Sequence, residues 1–376
     1  MGMEDIIQFW GGLKIMSDNL FKLKGEERIV HSLRSLYTSY GYTKFKMSRF
    51  EEYDLYAGNK DFLVSGNIIT FTDTDGTLMA LKPDVTLSIV KGFREEEGCV
   101  SKVSYDEKVY RVSSSSGVFK EITQVGIECL GDIEGVELGE VAMLAEKSLL
   151  LISDDSMLTI SHMGITEAFL AMIPSITARA EALKFMEEKN ISALDALKEK
   201  YPESRDAVLK LRSLILLNGS NEEVIKKLSE MGADKKSLDE LEEVVSVLDS
   251  VHLRIDFSVL GGMNYYNGIT FRGYVKGVPE SVISGGQYDK LMARMGKKAK
   301  AIGFAVYMDA LEKLLEGRDE YNVDVALVYD DDSSMSEVLG KAEEIRKTGK
   351  SVSTMKKIPQ KLKSREVIYL KGGEDA

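Results

Sequence analysis

The sequence predicts an α+β protein: an antiparallel sheet flanked by helices, interrupted by a helical insertion and followed by a small C-terminal α/β element. Three observations carry that reading. Thr123–Glu128 and Leu253–Val259 alternate apolar and polar residues with the period of a half-buried strand, and turn chemistry separates such runs. Residues 165–250 change character, becoming charged, short-looped and helical in period. From residue 322 onward the pattern runs strand, helix, strand, strand. Four regions are therefore expected: 1–164 as the first part of the core, 165–250 as the insertion, 251–318 as the second part of the core, and 319–376 as an α/β tail.

Composition bounds the function. With 376 residues, 44% hydrophobic and 29% charged, the chain can bury a large core and hold two or three domains. A net charge of −12 disfavours a broad nucleic-acid footprint. Two cysteines, Cys99 and Cys129, fit a reducing compartment and argue against a disulfide framework. His31, His162 and His252 are too widely spaced for a metal-ligand pattern, and neither a metal nor another cofactor is expected. No apolar run approaches the roughly 20 residues of a membrane span. The N-terminus lacks a basic-then-apolar signal design, and Met1-Gly2 lacks the hydroxyl residue that myristoylation favours. A cytoplasmic location is expected.

In chain order, Phe9 and Trp10 read as packing residues. A helix is predicted over Gly25–Tyr40, with Ile29, Leu33, Leu36, Tyr37 and Tyr40 on one face and Gly41 ending it. A strand over Tyr42–Met47 follows, then Arg49–Tyr53. Asn67–Thr72 and Thr77–Lys82 form a hairpin about Asp73-Thr-Asp-Gly76. Pro83-Asp84-Val85-Thr86 leads into a helical stretch, Leu87–Phe93. A carboxylate and a hydroxyl at that junction suit capture of an ammonium group, although by the residues alone capping of the helix is the simpler reading. A strand ends at Arg111, Ser113–Ser116 and Gly117 turn the chain, and the next strand places Gln124 and Glu128 on one face. That face either reads a polar ligand or is simply solvated. Helices are predicted over 132–153 and from Gly164, with a strand at Leu158–Ser161 between them. His162 reads as structural.

In the insertion, Ser220 with Glu223 makes a capping box, and Leu238, Leu241, Val245 and Leu248 a buried stripe. Leu253–Val259 and Ile269–Tyr274 then read as two strands joined through Gly261, Gly262, Asn267 and Gly268. Tyr265 and Tyr266 lie in that bend, either as hairpin packing or as a platform facing a small ligand. Ala301–Leu315 is a strand running into a helix. Val323–Tyr329, Ser351–Met355 and Glu366–Leu370 are strands, with a helix at Ser334–Thr348.

Tyr265-Tyr-Asn-Gly268 and Ser284-Gly-Gly-Gln-Tyr-Asp289 resemble the histidine-recognition segments of histidyl-tRNA synthetases. They resemble more closely those of a non-catalytic relative, the regulatory subunits of ATP phosphoribosyltransferase. The helix–Gly41-Tyr42–strand order looks like the first class II synthetase signature, with Ser48 at its proline. Arg111, the glycine loop, Gln124 and Glu128 look like the second. Pro83-Asp84-x-Thr86 is more like the regulatory subunits than the Pro-Glu-x-Thr of the synthetases.

The departures point the same way. The third signature ends in Gly-x-Glu-Arg in synthetases, and this chain has Tyr307, Asp309 and Ala310 there. Gly261 stands where those enzymes carry a catalytic arginine. The loop at 113–116 is serine, with only Lys120 nearby as a cation. Adenylate formation builds negative charge at phosphorus, so losing such cations should cost orders of magnitude in rate. No aminoacylation is expected.

The resemblance therefore implies a class II aminoacyl-tRNA synthetase-like fold and a non-catalytic regulatory subunit, required for activity and histidine feedback in the first step of histidine biosynthesis. It implies a short-form catalytic subunit as partner, histidine as effector, a homodimer through residues 25–56 within a hetero-oligomer, and a shortened anticodon-binding-like tail. It places Asp84, Thr86, Arg111, Gln124, Glu128, Tyr265, Tyr266 and Gly285 in one histidine-like pocket. Asp84, Thr86 and Gln124 would meet the amino group, Glu128 and Tyr266 the imidazole, and Arg111 the carboxylate. A divergent histidyl-tRNA synthetase or synthetase-like ligase is the alternative, and a scaffold that has lost its ligand is a third.

Overall fold

The computed structural model describes residues 25–59, 62–63, 67–112, 117–249, 251–258, 265–315 and 321–371. Phe9, Trp10, the 113–116 loop and Gly261 lie outside the described residues. The described residues divide into two compact units, one within Ser32–Leu311 and one combining Gly25–His31 with described residues from Glu312 onward.

The larger unit is built on an eight-stranded sheet. Its strands are β1 (Thr43–Lys44), β5 (Val100–Val112), β6 (Phe119–Gly131), β7 (Ser156–His162), β8 (Leu253–Ile255), β9 (Ile269–Val275), β10 (Ile283–Gln287) and β11 (Lys300–Tyr307). Their order is β1-β5-β6-β11-β10-β9-β7-β8. The inner pairs are antiparallel, whereas the outermost pairs, β1 with β5 and β7 with β8, are parallel. A second, three-stranded antiparallel sheet sets β4 (Leu78–Leu81) between β2 (Phe50–Glu52) and β3 (Thr70–Thr72). The expected hairpin joins β3 to β4, and Gly76 takes the left-handed conformation (φ +90°) that its turn requires.

The structure corrects two sequence expectations. Leu253–Val259 and Ile269–Tyr274 do not form a hairpin: β7 lies between β8 and β9 and pairs with both. Alternation identifies each segment as a strand but not the strand it joins. The strand expected over Tyr42–Met47 shrinks to Thr43–Lys44, because it holds only an edge position on β5.

One face of the main sheet is dry. Ile127, Phe304 and Phe271 fall on one cross-strand row there. Leu149, from the helix Gly135–Ile152, sits against Gly273 closely enough that a Cβ would collide with it. Tyr37, from the helix Gly25–Ser39, meets Phe304 edge-on at 5.9 Å and shares a 3.1 Å hydrogen bond with Ser148. Gly41 (φ +83°) follows that helix as expected. The opposite face of the sheet is the polar one and carries the site.

Residues 163–246 are helical, in six segments from Met163–Ala171 to Lys235–Ser246. Ser220 Oγ accepts the Glu223 amide proton and Glu223 reaches back to the Ser220 amide, the expected capping box. The buried stripe runs through Leu238, Leu241, Val244 and Leu248, with Val244 in place of the expected Val245. His162 caps the Met163–Ala171 helix through Nδ1 and pairs with Glu240 through Nε2, a structural role.

The smaller unit carries a parallel sheet in which β12 (Val323–Tyr329) lies between β13 (Val352–Met355) and β14 (Ser364–Leu370), with the helix Met335–Lys347 against it. No helix among the described residues is long and apolar enough to cross a membrane.

Candidate functional site

Strand register builds the site. On the polar face of the main sheet, one row reads Arg272, Ser284, Ala305, Gly126, Tyr105 across β9, β10, β11, β6 and β5. The next row reads Thr270, Gly286, Gly303, Glu128. A third pairs Tyr307 with Gln124. The middle of the face is therefore a floor of glycine, alanine and serine, with longer side chains rising around it. Above it stand Asp84 and Thr86 at the start of the helix Thr86–Gly92, the Tyr265-Tyr266 bend, and Tyr288. They enclose a cavity of about 400 Å³, a volume suited to a small polar ligand.

The glycines Gly126 and Gly303 of the floor cannot take side chains. A Cβ on Gly303 would lie 1.8 Å from Glu128 Oε2, and one on Gly126 would lie 2.2 Å from the Phe304 carbonyl oxygen. The bend is held from below. Asn267 Nδ2 donates to Asp289 Oδ2 (3.0 Å), and Asp289 Oδ1 accepts the Ala301 amide proton (2.9 Å). Tyr265 meets Tyr266 edge-on at 4.8 Å and touches Tyr288 at 5.7 Å, so an aromatic wall faces the floor.

Glu128 is the central polar group. It is 2% exposed. Thr86 donates to its Oε1 (2.8 Å) and Tyr288 to its Oε2 (2.6 Å). Burial pushes its carboxyl up to about 8, against the pull of those two hydroxyl donors. Asp84 is also raised by burial, opposed by Arg111 and by backbone amides. Its Oδ1 accepts the Leu87 amide proton at 2.9 Å, so Asp84 fixes the helix start as well as facing the cavity. Gln124 is buried, and its Nε2 has no hydrogen-bond partner among the described residues. An unsatisfied buried amide of this kind costs free energy until a ligand group meets it. Two carboxyl groups, an orphan amide, phenols and guanidinium groups around one small volume can bind a zwitterion through both of its charges.

The structure brings together seven of the eight expected residues: Asp84, Thr86, Arg111, Gln124, Glu128, Tyr265 and Tyr266 all line the cavity. Gln124 and Glu128 do not lie on a solvated face, since both are buried there. Gly285 is not among the lining residues. It belongs to the row of Phe271 and Phe304 on the dry face, where a Cβ would meet Phe304 Cβ at 2.4 Å. Its neighbours Ser284 and Gly286 hold the places on the polar face. Sequence reasoning passes over Tyr105, Gly303 and Arg272, and from the 284–289 motif it selects Gly285 where Ser284 and Tyr288 line the cavity. For Arg272 a signal exists: it alternates with the apolar Phe271 and Gly273 on one strand.

The histidyl-tRNA synthetase family model matches residues 21–311. An ATP phosphoribosyltransferase regulatory subunit from Caldanaerobacter subterraneus is 31% identical over 312 residues, 77% of this chain and 79% of the relative. Another, from Clostridium kluyveri, is 29% identical over 377 residues, 94% and 95% of the two chains. Among solved structures, an ATP phosphoribosyltransferase regulatory subunit/histidyl-tRNA synthetase from Bacillus halodurans superposes with a TM-score of 0.75 at 23% identity, covering 93% of this chain and 94% of that one. A chain of the ATP phosphoribosyl transferase HisG:HisZ complex from Thermotoga maritima gives 0.60 at 21% identity, covering 75% and 97%. These structural likenesses establish the class II synthetase-like fold.

Proposed function

This chain belongs to the histidyl-tRNA synthetase family and, within it, to the ATP phosphoribosyltransferase regulatory subunits, and from that premise we propose that its cavity holds free histidine and passes the occupancy to a separate catalytic chain. The subunit itself transfers no phosphoribosyl group. It serves the first step of histidine biosynthesis, and its contribution is a coupling free energy between two sites.

The observation that carries the reading is Glu128. A buried carboxyl held by Thr86 and Tyr288 is a receptor for a ring N–H or an ammonium group, and the unpaired Gln124 Nε2 beside it is a donor that an acceptor atom of the ligand can satisfy. Asp84, Thr86 and Gln124 take the amino group, and Glu128 with Tyr266 takes the imidazole. Adenylate chemistry is disfavoured by Ala310 and by Tyr307, whose side chain lines the cavity where a nucleotide would approach. The working assembly is a homodimer through residues 25–56 joined to short-form catalytic chains. A cytoplasmic setting suits Cys99 and Cys129, both free thiols.

Calorimetry with histidine, and with other amino acids as controls, tests the reading on the full chain. Selective binding that Glu128→Ala weakens by about tenfold or more is expected, together with no histidine-dependent ATP–pyrophosphate exchange. Clear exchange would replace the regulatory reading with a synthetase. Failure of Glu128→Ala to alter histidine affinity would remove the cavity from it.

A further inference from the structure

We propose that Arg272 binds the carboxylate of the amino-acid ligand, and that Arg111, the other guanidinium of the cavity, is a positioning residue for Asp84. The inference rests on the cavity being an amino-acid site.

An amino acid arrives as a zwitterion. Asp84 and Glu128 can answer its cationic part, but a carboxylate taken out of water needs a cation with free donors. Among the described residues, Arg111 and Arg272 are the arginines lining the cavity. Arg111 is committed. Its Nε donates to the Pro83 carbonyl at 2.6 Å and its Nη2 to Asp84 Oδ2 at 3.4 Å. Those bonds clamp the turn that presents Asp84 and starts the helix of Thr86. Turning Arg111 toward a ligand would release that turn and leave Asp84 buried beside no countercharge.

Arg272 is not committed. It is half-buried, and its guanidinium forms no hydrogen bond or ion pair with any described residue. Its cross-strand neighbours, Thr159 and Ser284, are neutral, so no acidic partner on the sheet accounts for it. Glu187 also lines the cavity but makes no ion pair with it. A cation on a sheet face with neutral neighbours and a half-enclosed cavity before it has the environment of an anion receptor.

The spacing fits. The strand of Arg272 lies three positions from that of Glu128, about 14 Å between backbones at ordinary strand separation. Two long side chains reaching inward over that distance leave a gap the length of a small amino acid. The floor of that gap is Ser284, Ala305, Gly126, Gly286 and Gly303, with nothing tall enough to block it. The ligand would lie along the floor, its carboxylate toward Arg272 and its cationic groups toward Asp84 and Glu128. Position 261, a glycine, supplies no cation of its own.

Calorimetry of the full chain with L-histidine and with histamine, which lacks the carboxylate, tests this. The wild-type chain should prefer L-histidine by about 10- to 100-fold, the range of one charge-assisted bidentate contact. Arg272→Gln should abolish the preference by weakening L-histidine alone, and Arg272→Lys should restore part of it. Arg111→Gln should weaken both ligands alike while keeping their ratio. Retention of the preference in Arg272→Gln with its loss in Arg111→Gln would overturn the proposal and leave the histidine reading standing. If the wild-type chain binds neither ligand, both the proposal and the reading beneath it fail. Circular dichroism and a thermal melt of each variant separate a lost contact from a lost fold.

Discussion

Replacing Glu128 with glutamine should make the protein's stability less sensitive to alkali, by an amount that follows from the burial of that carboxyl. Glu128 ionises near 4.5 in an unfolded chain and near 8 in the folded one, because desolvation outweighs the hydroxyls of Thr86 and Tyr288. A group whose folded pKa is raised contributes its full stability below the unfolded value and loses it as pH rises toward the folded value. The window is therefore about pH 4.5 to 8. Each unit within it costs about 1.36 kcal/mol, so from pH 5 to pH 8 the wild-type chain should lose about 3.5 kcal/mol that Glu128→Gln does not lose. Asp84 is raised by the same cause and titrates in both chains, and its charge adds to the rise of Glu128. Urea denaturation of both proteins at pH 5, 6, 7 and 8 reads the difference directly. A stability gap between them that stays constant within about 0.5 kcal/mol over that range would refute the claim that Glu128 is buried as an acid.

Other substitutions probe the same framework. Tyr288→Phe removes one of the two donors to Glu128, so the titration midpoint of Glu128 should move further up, at a stability cost of about 1–2 kcal/mol, measured by the same denaturation series. Gly303→Ala puts a methyl 1.8 Å from Glu128 Oε2 and 2.5 Å from the Ile127 carbonyl oxygen, so it should abolish histidine binding in calorimetry and destabilise by about 1–3 kcal/mol. Leu149→Ala opens a hole behind the dry face of the sheet and should cost about 2–5 kcal/mol in urea, with histidine affinity unchanged at temperatures where the variant is folded.

Legibility followed the range of the forces involved. The helix Gly25–Ser39, the hairpin of β3 and β4, the capping box at Ser220 and the tail strand Val323–Tyr329 rest on period, turn residues and caps, all encoded within a few positions. Strand partners are not encoded that way, so the sequence makes β8 and β9 look like neighbours although β7 separates them. The site was legible in part for the same reason. Alternation places Gln124 and Glu128 together, and resemblance supplies Asp84, Thr86 and the tyrosines. Gly285 shows where resemblance stops: a motif gives a segment, and only register decides which of two adjacent glycines faces the polar side of the sheet. Arg272 shows the converse. It lies outside the motifs that carry the resemblance, and its place on the floor's rim comes from pairing with Ser284 across two strands.

On the proposed reading, the departures from the synthetase signatures and a floor open to a small polar ligand belong together physically. A catalyst must stabilise charge that exists only in the transition state, and the resemblance places Ala310 where the synthetases carry a group of that kind. A regulator needs only a ligand whose affinity differs between two states of its assembly, and about 1–3 kcal/mol of difference is typical of such coupling. Ground-state recognition by Glu128, Gln124 and the aromatic wall can supply that with no phosphate clamp. The raised Glu128 adds a consequence. Burial raises the Glu128 carboxyl and so favours its protonated form in the absence of a ligand, whereas a cationic group arriving there favours its ionisation. Binding should then release a proton from Glu128. Calorimetry in two buffers of different ionisation enthalpy would measure that release, and its disappearance in Glu128→Gln would tie the proton to this carboxyl.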